Sequence, residues 1–242
     1  LACVNHIPGE KAAVSNGDIP LKFTADIHEA TYTRVAGNGF EENDEVGVFA
    51  LVGSSTMKEE RYADNLRFFR TSEKVFESSE PIYYPDDEVT LRLISYYPYQ
   101  EEGVNMGEST MSVAVETDQN LSAGYFCSDF LVASQNLQSA PKGAIALHYD
   151  HKFFKLKIAL VGKEGEELQG ILDADPKLSV CGFYTKAIYD FQKETYSAFS
   201  NEKSITPAGK WEIQGDRLSG KEVILIPQET TLGYQYIVLD VG

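Results

Sequence analysis

The chain has 242 residues, with 37 acidic against 21 basic side chains and a formal net charge of -16. A surface that negative repels phosphate backbones and anionic lipid headgroups, so the charge argues against nucleic acid as a partner and against docking on a membrane through side chains. Hydrophobic residues make up 43% of the chain, as in ordinary globular proteins, and no apolar run reaches the roughly 18 residues of a membrane-spanning helix.

The N-terminus reads Leu1-Ala2-Cys3, followed by a polar stretch containing Asn5, Pro8, Gly9, Ser15, Asn16 and Gly17. Small residues before a cysteine match the end of a bacterial lipobox, so Cys3 is the expected lipidation site and residues 1–18 the expected tether. Acyl chains on such a cysteine would hold the protein at a membrane surface without a span.

Period-2 alternation then dominates. Across residues 19–27, Ile19, Leu21, Phe23, Ala25 and Ile27 are apolar, while Pro20, Lys22, Thr24 and Asp26 between them are not. Further strands are predicted at 46–51, 65–69 and 89–97, the last with Val89, Leu91, Leu93 and Tyr97 on one face. After residues 111–115 the pattern weakens, and 120–138 is ambiguous, with room for a short helix. Residues 136–143 carry the weakest patterning and are read as a domain boundary. Beyond it, Phe154, Leu156, Ile158 and Leu160 alternate with Lys155 and Lys157, and strands follow at 178–184, 187–191, 223–226 and 234–239. Turn chemistry separates them, as in Gly37-Asn38-Gly39, Pro85-Asp86-Asp87 and Ser219-Gly220-Lys221. Many short strands punctuated by turns indicate an all-β protein of packed sheets.

Catalytic constellations are not evident. The four histidines are His6, His28, His148 and His151. His148 and His151 are three apart on a predicted strand and so point to opposite faces, a poor arrangement for a shared metal. Asp86-Asp87-Glu88 reads as a solvated turn. Phosphate-loop, dinucleotide and nucleophile-elbow motifs are missing, so neither cofactor nor enzymatic activity is expected. Cys127 and Cys181 read as small buried thiols, with a disulfide between them left open by export. Tyr96, Tyr97 and Tyr99 cluster near Pro98 and read chiefly as sheet residues; ring stacking on a sugar is the alternative.

Several stretches, in order, resemble one known family. They are Phe23-Thr24-Ala25, Thr33-Arg34-Val35, Gly39-Phe40, and Asn43 followed by DEVGVFA. YADNLRFF from Tyr62, Ile82-Tyr83-Tyr84-Pro85, Ser95-Tyr96-Tyr97-Pro98-Tyr99 and Asp129-Phe130-Leu131-Val132-Ala133 continue the series. Leu147-His148-Tyr149-Asp150-His151-Lys152 and Ile224-Leu225-Ile226-Pro227-Gln228 complete it. Together they resemble the fimbrillin-like pilus subunits of Bacteroides-type bacteria and the associated anchor and tip lipoproteins.

That resemblance implies two tandem transthyretin-like β-sandwich domains, at 19–140 and 141–242. It leaves open whether the second is complete at Gly242, since family members usually run on through further strands. It also implies an outer-membrane lipoprotein at the cell surface that assembles with other pilus subunits by strand exchange. In that scheme a protease cuts between Arg34 and Val35 and removes the strand carrying Ile19, Leu21, Phe23, Ala25 and Ile27. The alternative is a surface lipoprotein that binds host or bacterial glycans as a monomer.

Overall fold

The computed structural model describes residues 20–28, 39–85, 89–163 and 166–241, the side chain of Ser122 excepted. In chain order the elements are β1 (Phe23–Ile27), β2 (Glu45–Val52), β3 (Ala63–Arg70), β4 (Phe76–Glu77), β5 (Leu91–Tyr97), β6 (Thr110–Ala114), α1 (Ser122–Cys127), β7 (Leu131–Leu137), β8 (Ile145–His151), β9 (Phe154–Val161), α2 (Leu168–Asp173), β10 (Lys177–Asp190), β11 (Thr195–Ile205), β12 (Glu212–Gln214), β13 (Arg217–Leu225) and β14 (Ile237–Asp240). The all-β expectation holds. Two short helices interrupt the strands, α1 lying inside the stretch whose pattern is ambiguous.

The chain divides into two compact units, and neither is one continuous segment. The first comprises residues 1–111, 130–151 and 190–194; the second comprises 112–129, 152–189 and 195–242. The segment read as a boundary leads from β7 into β8. Those strands pair antiparallel through Leu131↔His151 and Val132↔Asp150, so both belong to the first unit. Weak patterning at 136–143 therefore marks a connection within one sheet. The expected cut at 140 does not coincide with the division of contacts.

In the first unit the ladder runs β1-β4-β3-β2-β5-β7-β8 and returns to β1, a closed barrel. This differs from an open two-sheet sandwich. Closure satisfies the edge N–H and C=O groups that two open sheets would leave bare. Inside sits a cluster that includes Phe23, Phe40, Phe68, Phe76, Leu93 and Tyr149. Phe40 makes edge contacts with Phe76, Tyr97 and Tyr149 at centroid distances of 5.2, 5.3 and 5.0 Å.

Polar fastenings hold the loops to this barrel. Arg61 has a fully buried side chain. Its Nε donates to the Met57 carbonyl at 2.8 Å, and Nη1 donates to Asp64 Oδ1 at 2.5 Å and the Val104 carbonyl at 2.7 Å. Nη2 reaches the carbonyls of Asn105 and Glu108 at 2.9 and 3.0 Å. The planar guanidinium thus ties the loop before β6 to the start of β3, with Phe49 beneath it at 5.2 Å. On the same side, the Tyr96 hydroxyl donates to Asn65 Oδ1 at 2.7 Å, and its ring fills the space above Gly47. A Cβ on Gly47 would lie 2.2 Å from that ring, so only glycine fits.

The second unit has two sheets. One has the order β11-β10-β14, with β6 also paired to β10; the other is β12-β13-β9. The 14-residue β10 replaces the two strands predicted at 178–184 and 187–191. Leu178 and Val180 face inward, then Phe183, Thr185, Ala187 and Tyr189, so the phase slips by one residue at Gly182 (φ 72°). Thr185 falls in the gap between those two expected strands. It is buried, donating to the Asn201 carbonyl at 2.7 Å and accepting from Asn201 Nδ2 at 2.6 Å.

The alternation along β9 is also modified. Phe154 is 40% exposed, whereas the Lys155 side chain is only 12% exposed, 3.7 Å from Glu222. Tyr125 on α1 explains this. Its hydroxyl donates to Glu222 at 2.5 Å and its ring lies 5.5 Å from the Lys155 ammonium, so α1 covers the face expected to be wet. Burial lowers the Lys155 pKa below its ordinary value, against the attraction of Glu222. Cys127 and Cys181 are free thiols, Cys127 exposed and Cys181 half-buried, with Cys181 Sγ 3.3 Å from Ser204 Oγ. They are free as read but not buried: Cys127 closes the exposed end of α1, and Cys181 sits where β10 slips.

Replacing Arg61 by Met would strand four carbonyls and the Asp64 carboxylate. The expected loss is about 3–5 kcal/mol of unfolding free energy, measured by urea denaturation.

Candidate assembly site on the first strand

Strand β1 is short, and its alternation is realised. Phe23 is fully buried, Ala25 and Ile27 are half-buried, and Thr24 and Asp26 are exposed. Leu21, just before it, is 3% exposed. The Phe23 ring meets Phe68 at 4.7 Å. Two fully buried large side chains contribute about 3–6 kcal/mol together, and Ala25 and Ile27 add less.

What distinguishes β1 is its place in the ladder. On one side it pairs with β8 in parallel over Phe23↔Ile145, Thr24↔Ala146, Ala25↔Leu147, Asp26↔His148 and Ile27↔Tyr149. Backbone bonds from Ile145 N to the Lys22 carbonyl and from His28 N to the Tyr149 carbonyl, each 2.8 Å, extend that seam. On the other side, among the described residues, Phe23↔Phe76 alone pairs it with β4, reinforced by Leu21 N to the Ile82 carbonyl at 2.8 Å and by Lys22 Nζ to Glu77 at 2.5 Å. β1 is the piece that closes the ring. Taking it out opens a slot between the two-residue β4 and β8 and uncovers Phe68.

Other expected site residues fall elsewhere. Cys3, Ile19, Arg34 and Val35 lie outside the described residues, as do Asp86, Asp87 and Glu88. Tyr96 and Tyr97 are 0% and 7% exposed, so neither ring is offered to a sugar; Tyr99 is half-buried. Their positions on β5 explain the correction. Tyr96 is consumed by the Gly47 contact and the Asn65 bond, and Tyr97 by the edge contact with Phe40. The partner strand β8 was legible as a strand, since Ile145, Leu147 and Tyr149 alternate inward, but nothing in the local pattern says that it pairs with β1.

Tyr149 sits at the end of this seam. Its hydroxyl lies 2.6 Å from Ser95 Oγ, which donates to the Gly47 carbonyl at 3.0 Å, so the phenol is the donor to Ser95. Burial pushes the Tyr149 phenol well above its ordinary value, and Ser95 offsets this slightly. Burial likewise raises Tyr96, with the Gln100 backbone bond acting against it. A phenol raised on folding adds stability below its unfolded value, about 10, and that stability is lost as pH climbs toward the folded value. Alkaline unfolding followed by circular dichroism should begin above about pH 10 and be shallower in Tyr149→Phe. Phe23→Ala should cost about 3–5 kcal/mol in urea denaturation, since it empties the centre of the seam.

The protein is thus an all-β chain with a strand-closed barrel as its first unit. A family profile described as fimbrillin-like matches residues 33–242, and the chain belongs to that family. The match begins after β1. A comparison with curated proteins finds no significant match. Among solved structures, a candidate cell adhesion protein from Bacteroides ovatus aligns with TM-score 0.65 at 16% identity, over 88% of this chain and 80% of the other. A candidate cell adhesion protein from Bacteroides uniformis aligns with TM-score 0.59 at 19% identity, over 91% and 78%. A fimbrial protein from Bacteroides vulgatus gives 0.51 at 17% identity, over 85% and 77%. At these identities the likeness is one of fold. Membership of the fimbrillin-like family places the chain among pilus-related proteins of the cell surface.

Proposed function

We propose that this chain is a structural or adhesive subunit of a cell-surface pilus, exported as a lipoprotein through Cys3 and assembled by donor-strand exchange. In this reading its two units are counterparts of two transthyretin-like sandwich domains. Cleavage between Arg34 and Val35 releases the segment carrying β1, and a strand from another subunit takes its place. The observation that supports the reading is the position of β1: an N-terminal strand with a buried Phe23 closes the barrel, held to β8 in parallel and, among the described residues, to β4 by one pair. Its loss would bare backbone edges and apolar surface together, which favours capture of a strand with the same alternation. Partners are other pilus subunits. The burial of Tyr96 and Tyr97 speaks against two of the three contacts considered for the glycan-binding alternative, Tyr99 being half-buried.

Limited digestion with a trypsin-like protease tests this. The expected result is a new N-terminus at Val35, followed by oligomers or by uptake of a synthetic peptide covering residues 19–28. A peptide with Asp in place of Phe23 should not be taken up. Protection at Arg34 with a persistent monomer would overturn the exchange mechanism.

A further inference from the structure

A second group of aromatic side chains, distinct from the tyrosines around Pro98, is solvent-exposed on the β11-β10-β14 sheet of the second unit. Tyr184 on β10 is 40% exposed, and Tyr234, just before β14, is 51% exposed. Phe199 on β11 and Tyr236 are half-buried beside them. The rings meet in pairs, Tyr234 with Tyr236 at 4.9 Å between centroids and Tyr184 with Phe199 at 6.3 Å.

These rings are held in place by the fold. Gly182, at φ 72°, makes the seat: an added Cβ there would lie 2.4 Å from the Tyr234 ring and 3.0 Å from the Tyr236 ring. Tyr236 rests on Phe183 at 5.1 Å, and its hydroxyl accepts from the Thr231 N–H at 2.5 Å. The Tyr234 N–H donates to the Thr231 carbonyl at 3.2 Å. Gln228 clamps the backbone of Tyr184 both ways, its Oε1 accepting the N–H at 2.9 Å and its Nε2 donating to the carbonyl at 3.1 Å. Rings ordered by folding lose little further freedom when a ligand settles on them.

A carboxylate borders the Tyr234 ring. The Tyr234 hydroxyl donates to Glu202 Oε1 on β11 at 3.5 Å, and the charge of Glu202 raises the phenol above its ordinary pKa, so it keeps its proton. An ionised carboxylate has about four acceptor positions, and one phenol leaves most of them free for other donors. A flat ring face beside an acceptor-only group matches a sugar, which carries C–H bonds on the face of its ring and hydroxyl donors around the rim. We propose that Tyr234, Tyr184 and Glu202 form a surface site for an uncharged glycan, with a pyranose ring stacked on Tyr234 and its hydroxyls donating to Glu202. Charge selects among glycans: with Glu202 at the contact and a chain of net charge -16, sulfated and uronate polymers are repelled. The planes of Tyr234 and Tyr236 are 46° apart, which suits one bent chain better than a flat crystalline surface. Every residue of the site belongs to the second unit, so binding needs no removal of β1 and does not depend on strand exchange.

Affinity electrophoresis of the full, uncleaved chain through gels containing laminarin, mannan or xylan tests this, with polygalacturonate as the acidic control. At least one of the three neutral polymers should retard the protein, and polygalacturonate should not. Tyr234→Ala should weaken binding about tenfold, the loss of one stacked ring. Tyr234→Phe keeps the ring and should weaken it far less, which separates stacking from any disturbance of the fold; thermal melts by circular dichroism check both variants. Glu202→Gln should weaken binding, and Tyr99→Ala should leave it unchanged. Retardation by none of the neutral polymers, retardation that survives in Tyr234→Ala, or stronger retardation by polygalacturonate would overturn the proposal. Binding of a lysine-rich peptide to the same rings in place of any neutral polymer would overturn it too, and would make the site one for cations.

Discussion

A curled sheet has two edges, and something has to satisfy them. In the first unit that task falls to β1, which joins β8 on one side and touches β4 on the other. The aromatic interior depends on the same strand, because Phe23 packs on Phe68 within the cluster that also holds Phe76 and Tyr149. Edge satisfaction and core packing are therefore concentrated in five residues, Phe23–Ile27. A strand of this kind stabilises the barrel twice over, through its edge pairing and through the core it covers.

Buried polar groups decide how the rest of the chain is held. In the first unit Arg61 gathers carbonyls from Met57, Val104, Asn105 and Glu108, which no apolar side chain could do. In the second, Gln119 bonds both ways to Ile224, its Nε2 donating to the carbonyl and its Oε1 accepting the N–H, each at 2.8 Å. Tyr125, Glu222 and Lys155 form a further buried group beneath α1. Each is satisfied, and each fixes a loop or helix against a sheet at a defined point. Loss of one partner from such a group costs more than loss of an ordinary surface bond.

The tyrosines around Pro98 illustrate how a surface-looking motif is absorbed by the core. Tyr96 and Tyr97 occupy successive positions on β5, and both are buried because each side of that strand is covered within the first unit. Conversely, His28 comes to lie beside His148, 120 residues further along the chain, a neighbourhood that spacing alone does not reveal.

By itself the sequence determined that the protein is all-β, acidic and rich in short strands. It located most of those strands to within a few residues, because period-2 alternation is a local signal that burial on one face imposes directly. It also carried the family likeness, since turn residues and strand patterns recur in order along the chain. Tertiary structure alone decided that β8 pairs with β1 rather than opening a second domain, that β10 is one strand with a slip at Gly182, and that Lys155 is covered by Tyr125. Strand pairing joins residues far apart in the chain, and whether a polar side chain such as Thr185 or Lys155 is buried depends on a partner that only the folded chain supplies.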